Sequence, residues 1–495
     1  MIYLNELFEK APKVEIEALC VDSRTTVANS IFFCLKGIKS DGHHHVKQAI
    51  ENGAKVIVYH DNIDLSEKAI YIRVENVLDV LNKSLKVFYN DPSKDMHIVA
   101  VSGASGKTTI ANSLLQMLND EDRCGYIGDL GILFKDKSLG SSYSTPEAID
   151  LHRYLSMMKT DEIETCVIEA STLGIEQGRL DAIRKDVAIF TNLDADHMQM
   201  YGSSDEYFFA NKLLFDSLDE NAFAITNIDD KYGRRMVQDT KAKVVTYAID
   251  AHADFSAFDI KYEKDKTSFV LRVYSKTFLV DTNLIGRFNI YNLLAVIATM
   301  VSLGYSINDV IAKCNNLRTL KGYMQRIDLG QNYNVIVDYA NTSVGVERVL
   351  NYATNVTASD KSIVVVIGSE GGRDESKRKT IGEVLDKYAD MIILTEDDSS
   401  DENLDKIFDD IIEGIKKKPF ITVKSREDAI ISAIDLLNSD DTLLILGKGC
   451  DKFLYRIFGR EIYAGDDVLA RKYIKKRMEE ENEAIEIYWS HIVKG

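Results

Sequence analysis

Short continuous apolar runs recur along the chain, separated by stretches whose apolar residues fall on one face of a helix. SIFFCL, AKVIVYH and AIYIRV come first, then HIVAVS, TCVIEAS, DVAIFTNL, NAFAITNI and KVVTYAI, and finally NVIVDYA, SIVVVIG, MIILTE and LLILG. Apolar runs of this length that end in turn residues predict buried strands. Because helical stretches alternate with the runs, the pattern predicts an α/β protein with parallel sheets.

Two breaks interrupt this pattern. The first, YNDPSKD at 89–95, holds one of only four prolines, and a weaker one lies in QRIDLGQNYN at 325–334. A chain of 495 residues is also too long for a single core. We therefore predict domains at 1–94, 95–328 and 329–495. The last segment, 479–495, predicts an added helix that either docks on the third domain or contacts a partner protein.

The composition fits a folded globular protein, with 45% hydrophobic and 28% charged residues and a net charge of -18. A charge of that sign argues against nucleic acid or an anionic membrane as the main partner. The start shows no signal-peptide pattern, and the longest apolar run, Leu293 to Leu303, is shorter than the roughly 20 residues that span a bilayer. We expect a monomeric cytoplasmic protein without a membrane partner.

Two groups of potential metal-binding residues receive a structural interpretation. The six cysteines include no CxxC pair, which favours reduced thiols. Three consecutive histidines, His43 to His45, cannot all face one ion on a regular backbone, so we interpret them as part of a solvated loop.

The strongest local motif is SGASGKTT at 102–109, between a predicted strand and a predicted helix. In that position Gly103 and Gly106 let backbone N–H groups approach a phosphate, while Lys107 reaches the β/γ oxygens and a hydroxyl of Thr108 or Thr109 binds Mg²⁺. The motif therefore predicts a phosphate-binding loop.

A second group of polar residues follows two other predicted strands. Glu169, Asp194, Asp196 and His197 lie at or just after the ends of TCVIEAS and DVAIFTNLDADH. Ligands of open α/β sheets bind at the carboxyl ends of the strands, so these residues suit a Mg²⁺–phosphate site. The alternative interpretation is a set of solvated acidic loops.

The run IEASTLGIEQGRLDAIRKDVAIFTNLDADHMQMYGSSDEYFFANKLLF at 168–215 resembles the central block of MurE-type ligases of the Mur ligase family. Further blocks match that family in order along nearly the whole chain: VDSR at 21–24, LKGIKSDG at 35–42, STPE at 144–147, NIDDKYG at 227–233, GRFNIYNLLA at 286–295, VDYANT at 337–342, GRDESKR at 372–378 and GKGCD at 447–451. The short GxxGKTT form of the phosphate loop is also typical of this family.

The resemblance implies a three-domain α/β architecture: a domain for the UDP-linked substrate, a central ATP-binding domain and a Rossmann-like domain for the amino acid. It also implies a role for each matched residue. Lys107, Thr108 and Thr109 would hold ATP and Mg²⁺, with Glu169, His197 and a carbamylated Lys212 at the metal, Asn292 at adenine, Asp338 at ribose, Ser23 and Lys39 at uridine, and Ser144, Thr145, Ser171, Gln177 and Arg179 at the muramoyl dipeptide.

Several positions depart from the family pattern. Tyr323 replaces an arginine expected near the phosphates unless Arg326 substitutes for it, and Leu173, Asn341 and Cys450 each replace a histidine. The motif DNPR, which recognises the amino acid in the diaminopimelate enzymes, reads DDSS at 397–400. The departures suggest that ATP activation is retained and that the acceptor pocket is changed.

The expected activity is an ATP-dependent ligase that adds the third residue to UDP-N-acetylmuramoyl-L-alanyl-D-glutamate through an acyl phosphate, in peptidoglycan synthesis. Arg373 would bind the α-carboxylate of the incoming amino acid. Because Asp398 and its acidic neighbours would disfavour an anionic side chain, we expect L-lysine, L-ornithine or a small neutral amino acid ahead of meso-diaminopimelate. The alternatives are a solvated acidic loop with selectivity elsewhere, a Mur-type ligase with another carrier, and a nucleotide-binding paralogue without turnover.

Overall fold

The computed structural model describes residues 2–37, 40–66, 68–193, 201, 203–263 and 266–492, with side chains up to 483. These residues form two compact units. The first comprises 1–193, 201–253 and 298–304, and the second comprises 254–297 and 305–495 within the described ranges. The predicted domain boundaries, 1–94, 95–328 and 329–495, stay a prediction.

The first unit begins with a small parallel sheet. Its strands are β3 Ala18–Cys20, β4 Ser30–Phe33, β5 Ala54–Tyr59 and β6 Ile70–Arg73, and β1 Ile2–Tyr3 and β2 Glu15–Ile16 form a separate two-stranded sheet. Strands β3 to β6 pair in parallel in sequence order, and β1 pairs antiparallel with β2. Three of these strands correspond to the predicted runs SIFFCL, AKVIVYH and AIYIRV.

The same unit contains a larger sheet with the strand order β10-β9-β8-β11-β7-β12-β13-β14. The strands are β7 His97–Ser102, β8 Cys124–Gly128, β9 Gly131–Phe134, β10 Lys137–Leu139, β11 Thr165–Glu169, β12 Val187–Phe190, β13 Phe223–Asn227 and β14 Lys243–Ala248. The run from β8 to β14 is parallel, which confirms the predicted parallel pattern, whereas β9 and β10 form an antiparallel edge.

The second unit contains an antiparallel group, β15 Phe255–Tyr262, β16 Thr267–Val273 and β17 Lys276–Thr282. It also contains a sheet ordered β18-β19-β23-β20-β21-β22. These strands are β18 Gln325–Arg326, β19 Asn334–Asp338, β20 Ile363–Ile367, β21 Met391–Leu394, β22 Phe420–Thr422 and β23 Thr442–Leu446, followed by the hairpin β24 Phe453–Arg456 and β25 Gly459–Ile462. All pairs from β19 to β22 are parallel.

The helices alternate with the strands as the sequence predicted. They are α1 Leu4–Leu7, α2 Val46–Glu51, α3 Val77–Phe88, α4 Lys107–Leu118, α5 Ala148–Thr160, α6 Thr172–Glu176, α7 Ser204–Asp216, α8 Gly233–Met236, α9 Arg287–Ser302, α10 Ile307–Cys314, α11 Ser343–Val356, α12 Ser376–Tyr388, α13 Leu404–Ile412, α14 Arg426–Leu436 and α15 Asp466–Ile492. Residues 479–492 are helical, as expected, but they continue α15, which begins at Asp466, and do not form a separate helix. In the described part of the chain, no helix combines the length and the apolar character needed to cross a bilayer.

Candidate functional site

A glycine-rich turn connects the central strand β7 to helix α4. Gly103 has a φ of 124° and Gly106 a φ of 93°, in the region that favours glycine. A Cβ on Gly103 would lie 2.1 Å from the Thr191 hydroxyl oxygen and 2.8 Å from the Asn192 carbonyl oxygen. The turn therefore lies so close to the residues that follow β12 that only glycine fits at position 103.

The turn has the form of a phosphate-binding loop. The Lys107 ammonium donates to the carbonyl oxygens of Gly103 (2.8 Å) and Ala104 (3.0 Å), so it lies over the loop. The Asn192 side chain accepts from the Ser105 N–H at 3.1 Å and donates to the Ser105 carbonyl at 3.0 Å. Sequence reasoning missed Asn192, although it directly follows the end of the buried strand β12.

A buried acidic group stands beside this loop. The Thr108 hydroxyl donates to Glu169 Oε2 at 2.9 Å, and Glu169 is fully buried at the end of β11, in register with Val101 of β7. Tyr126 donates its hydroxyl to the same carboxylate, and Asp129 lies nearby. Burial and then the charge of Asp129 raise the pKa of Glu169. The predicted pair of Thr108 and Glu169 is thus brought together.

The residues expected at the muramoyl dipeptide form one network next to Glu169. Thr145 donates to the Glu169 carbonyl at 2.7 Å and accepts from the Ser171 N–H at 2.8 Å. Arg179 is 4% exposed and donates to the Thr145 carbonyl at 2.6 Å and to Gln177 at 2.6 Å. The structure therefore groups these four residues, while Ser144 bonds to Asp129 instead.

A cavity of about 1010 Å³ opens beside the small parallel sheet. Ser23, Lys36, His45 and Gln177 are among its lining residues, and the Ser23 hydroxyl donates to Gln48 Oε1 at 2.6 Å. Lys39 lies outside the described residues. The cavity is large enough and polar enough for a substantial ligand.

In the histidine run, His44 and His45 are exposed, as expected of a solvated segment, whereas His43 is not. Gly42–His45 forms a 3₁₀ turn, and His43 is buried. The His43 Nδ1 atom bonds to Asp41 at 2.6 Å, and Nε2 accepts from the N–H groups of His60 and Asp61, both at 3.2 Å. Because hydrogen bonds engage both ring nitrogens, His43 acts as a structural residue.

Lys212 occupies helix α7, with 8% of its side chain exposed. Its ammonium pairs with Asp216 at 2.6 Å and Asp239 at 2.7 Å. Burial favours a lower pKa for Lys212, but these two carboxylates outweigh it and raise the pKa. The neighbouring Asn211 accepts from Ser102 at 2.8 Å, and sequence reasoning missed this residue at the base of the phosphate loop. His197, Asp194 and Asp196 lie outside the described residues.

In the second unit, Asp338 ends β19 and accepts from the N–H groups of Met324 (2.6 Å) and Ala340 (2.8 Å). Burial raises its pKa to about 6. Asn292 is 8% exposed and donates to Asn289 at 3.0 Å. Each of the two expected nucleotide contacts therefore has a defined orientation within this unit.

Two of the departures from the family pattern meet in a single cluster. The Tyr323 ring lies 5.0 Å from the Tyr339 ring. The Cys450 N–H donates to the Tyr339 hydroxyl at 3.1 Å, and the Cys450 thiol donates to Gln325 at 3.2 Å. Tyr339 thus connects both substituted positions. All six cysteines are free, as expected.

Three of the four acids expected to make the acceptor region negative are neutralised or buried, and the fourth, Asp401, is exposed. Asp397 is 2% exposed, and burial raises its pKa. Lys448 donates to both oxygens of Asp398 at 2.7 and 2.8 Å. Arg378 binds Glu402 at 2.7 Å and holds its pKa at about 2. Partners distant in sequence therefore compensate Asp398 and Glu402, so the region carries less negative charge than the sequence predicts.

A guanidinium lies next to the substituted DDSS motif. Ser400 forms an isolated parallel bridge with Arg456 of β24, and its N–H donates to the Tyr455 carbonyl at 3.1 Å. Arg456 pairs with Glu396 at 2.6 Å. The predicted Arg373 is exposed and pairs with Glu370 at 3.2 Å. Arg456 and Arg373 are therefore two further arginines of this region, although Ser400 replaces the arginine of the DNPR motif.

The α/β fold and the phosphate-binding loop between β7 and α4 define a nucleotide-dependent enzyme. Comparisons with known proteins identify its family. Family models match residues 15–89 (Mur ligase family, catalytic domain), 101–300 (Mur ligase middle domain) and 323–449 (Mur ligase, glutamate ligase domain). The chain belongs to the Mur ligase family, so the predicted resemblance, ligase class and three-domain α/β fold are confirmed.

Individual relatives specify this likeness further. The chain is 31% identical to a UDP-N-acetylmuramoyl-L-alanyl-D-glutamate–2,6-diaminopimelate ligase of Caldanaerobacter subterraneus subsp. tengcongensis, over 95% of this chain and 96% of the relative. A solved structure of a ligase with the same name has a TM-score of 0.72 at 24% identity, covering 96% and 99% of the two chains. A MurF ligase of Thermotoga maritima in complex with ADP has a TM-score of 0.63 at 17% identity, covering 94% and 98%.

Proposed function

We propose that this ligase joins 2,6-diaminopimelate to the D-glutamate carboxylate of UDP-N-acetylmuramoyl-L-alanyl-D-glutamate, with ATP as the energy source, in peptidoglycan precursor synthesis. The chain is 31–33% identical to ligases of that name over 94–95% of its length, which supports these substrates. The observation that carries the chemistry is the phosphate loop joined to the buried Thr108–Glu169 pair. Because ATP is the proposed co-substrate, we place the reaction in the cytoplasm.

The loop residues suit an ATP–Mg²⁺ complex. The Thr108 hydroxyl and the Glu169 carboxylate are oxygen donors of the kind that Mg²⁺ prefers, and they lie 2.9 Å apart beside the loop. These two residues would hold the ion, which when bound neutralises phosphate charge and polarises the transferred group.

The chain's own residues position the reacting groups. The Lys107 ammonium moves from the loop carbonyls to the β/γ-phosphates, and the loop N–H groups bind phosphate oxygens. The substrate carboxylate attacks the γ-phosphorus, forming an acyl phosphate and releasing ADP. The amine of the incoming amino acid then attacks the acyl carbon, loses a proton and displaces inorganic phosphate. Loop donors stabilise the negative charge that develops in both steps.

The UDP-linked substrate would extend from the cavity to the loop. We assign its uridine end to the cavity that Ser23 lines, with Lys39 as a further contact. The dipeptide would lie along Ser171, Gln177 and Arg179. Gln177 supports this path because it both lines the cavity and bonds to Arg179.

The structure changes our expectation for the incoming amino acid. L-Lysine was expected because an acidic pocket would favour its side chain, but Lys448 neutralises Asp398. Directly paired residues of neighbouring strands point to the same side of a sheet. The bridge to Ser400 supports Arg456 as a replacement for the missing arginine, provided that its guanidinium leaves Glu396 and Glu461, with which it pairs at 2.6 and 3.2 Å. We accordingly rank 2,6-diaminopimelate above L-lysine, with Arg373 at one carboxylate and Arg456 at the other.

Carbamylation of Lys212 is part of the proposal, and the structure adds a condition to it. CO₂ reacts with the neutral amine, whereas Asp216 and Asp239 stabilise the ammonium. The side chain must therefore lose its proton and leave both carboxylates before it can serve as an anionic metal ligand. His197 would complete the metal site.

The test is an ADP-release assay with UDP-N-acetylmuramoyl-L-alanyl-D-glutamate and meso-diaminopimelate, L-lysine, L-ornithine or L-alanine in turn, followed by the mass of each product. We expect the highest kcat/KM for meso-diaminopimelate. ADP release that does not depend on the UDP-linked dipeptide would reject the carrier, and a clear preference for lysine would reject the assigned acceptor.

A further inference from the structure

A tight hairpin turn brings an additional carboxylate to the phosphate loop. Asp129 and Leu130 connect β8 to β9, which pair from Gly128 to Gly131. Strand β8 lies beside β11, so the turn projects from the same carboxyl edge of the sheet that carries Glu169. The hairpin thus holds Asp129 at a fixed place, and none of the roles discussed so far uses its side chain.

The Asp129 carboxylate is directed towards the Thr108–Glu169 pair. Its Oδ2 atom lies 3.5 Å from the Thr108 hydroxyl oxygen, and its N–H donates to Glu169 Oε1 at 3.3 Å. Its Oδ1 atom accepts a hydrogen bond from the Ser144 hydroxyl. Ser144 therefore orients one oxygen of Asp129 and leaves the other facing the loop.

This arrangement concentrates negative charge around a single hydroxyl. Thr108 has one proton, which serves Glu169 at 2.9 Å and cannot also serve Asp129. The Lys107 ammonium instead donates to the carbonyls of Gly103 and Ala104. The carboxylates of Glu169 and Asp129 have oxygens 2.9 and 3.5 Å from the same Thr108 hydroxyl oxygen, so their negative charges repel each other. A divalent cation between them would remove the repulsion.

We propose that Asp129 is a third protein ligand of the divalent cation, beside Thr108 and Glu169, and that Ser144 is its positioning residue. The inference rests on the proposed function, which places Mg²⁺ at this loop. The 3.5 Å separation from Thr108 is slightly longer than the roughly 2.9 Å between neighbouring ligands of Mg²⁺. Because Asp129 is exposed, a small rotation of its side chain closes that difference.

Binding of Mn²⁺ in the presence of ADP tests the assignment without turnover. The free Mn²⁺ signal in electron paramagnetic resonance is titrated for the wild type, Asp129→Asn and the control Asp136→Asn, an exposed aspartate in the next turn. We expect affinity for Mn²⁺ about 10–100-fold lower in Asp129→Asn and unchanged in the control. An Asp129→Asn affinity within twofold of the wild type would overturn the inference.

Two further measurements separate metal binding from folding. Asp129→Ser keeps a residue suited to turns while it removes the carboxylate, and it should weaken Mn²⁺ binding as Asp129→Asn does, without lowering the melting temperature. In EDTA, both variants should bind ADP at least as tightly as the wild type, because one negative charge near the phosphates is gone. Normal Mn²⁺ affinity in either variant contradicts the role of Asp129. A wild type that binds no Mn²⁺–ADP refutes the proposed function itself.

Discussion

Replacing Gly103 by alanine is a sharp test of the phosphate loop, because the surrounding atoms give the size of the effect. Alanine at a φ of 124° is strained by about 1–2 kcal/mol. The new Cβ would also lie 2.1 Å from the Thr191 hydroxyl and 2.8 Å from the Asn192 carbonyl. Overpacking of this kind adds about 1–3 kcal/mol. The glycine-rich turn must therefore move away from the residues that follow β12, and this movement displaces the N–H groups that would bind phosphate.

A matched variant isolates the backbone strain. Gly304 has a φ of 96°, and a Cβ there would meet nothing within 4 Å. Gly304→Ala should therefore lose only about 1 kcal/mol of stability, because lower entropy of the unfolded chain offsets part of the strain. In Gly103→Ala/Thr191→Ala the contact with the hydroxyl is removed, but the contact with the Asn192 carbonyl remains. That double variant should recover only part of the loss.

Isothermal titration of ADP in the presence of Mg²⁺ provides the measurement, with melting temperature as the control for folding. Gly103→Ala should bind ADP at least tenfold more weakly, a difference of about 1.4 kcal/mol or more. Gly304→Ala should bind ADP as the wild type does. Equal affinity for ADP in Gly103→Ala and the wild type would refute the assignment of this turn to phosphate.

Three further predictions concern single side chains. Lys107→Ala should keep the melting temperature and form almost no ADP, because charge on the β/γ-phosphates is uncompensated during transfer; near-normal ADP formation would contradict this role. Lys212→Ala should be almost inactive and partly rescued by acetate if a carbamate is required, whereas full activity without acetate would make Lys212 an ordinary ion-pair residue. Burial lowers the pKa of His152 below 6.5, so the unfolded chain binds the proton more readily. The stability that His152 contributes should be complete above pH 6.5 and fall as the pH drops towards the lowered pKa of the folded state. Melting temperatures of the wild type and His152→Gln that depend on pH in the same way would disprove this prediction.

The phosphate loop could be predicted from sequence because its determinants are local. A buried strand, two glycines and a helix within 97–118 fix the geometry, and the structure places Lys107 and Thr108 accordingly. The proximity of Glu169 followed from a general rule about the carboxyl ends of parallel strands. Twelve of the 25 strands that the structure describes were predicted for a similar reason, since continuous apolar runs are typical of sheets covered on both faces.

Charge compensation could not be predicted, because it depends on residues far apart in the chain. Asp398 looks acidic in the sequence until folding brings Lys448 to it, 50 residues away. Asp129 was missed because a single aspartate in a short turn is ordinary, and only the pairing of β8 with β11 shows its neighbours. The antiparallel strands β15 to β17 were also missed. The alternating burial of β16 is a weaker signal than a continuous apolar run.

In the proposed reaction, the enzyme activates the substrate carboxylate with ATP before the amine attacks. This order of steps can be tested with UDP-N-acetylmuramoyl-L-alanyl-D-glutamate whose side-chain carboxylate carries ¹⁸O. The enzyme is incubated with ATP, Mg²⁺ and meso-diaminopimelate. The masses of the released phosphate and of the product are then measured by mass spectrometry. With both oxygens of that carboxylate labelled, the predicted result is transfer of one ¹⁸O atom into inorganic phosphate, together with a product heavier than the substrate by one diaminopimelate less one H₂¹⁸O. Product without ¹⁸O in the phosphate, or no product with ATP present, would contradict the account.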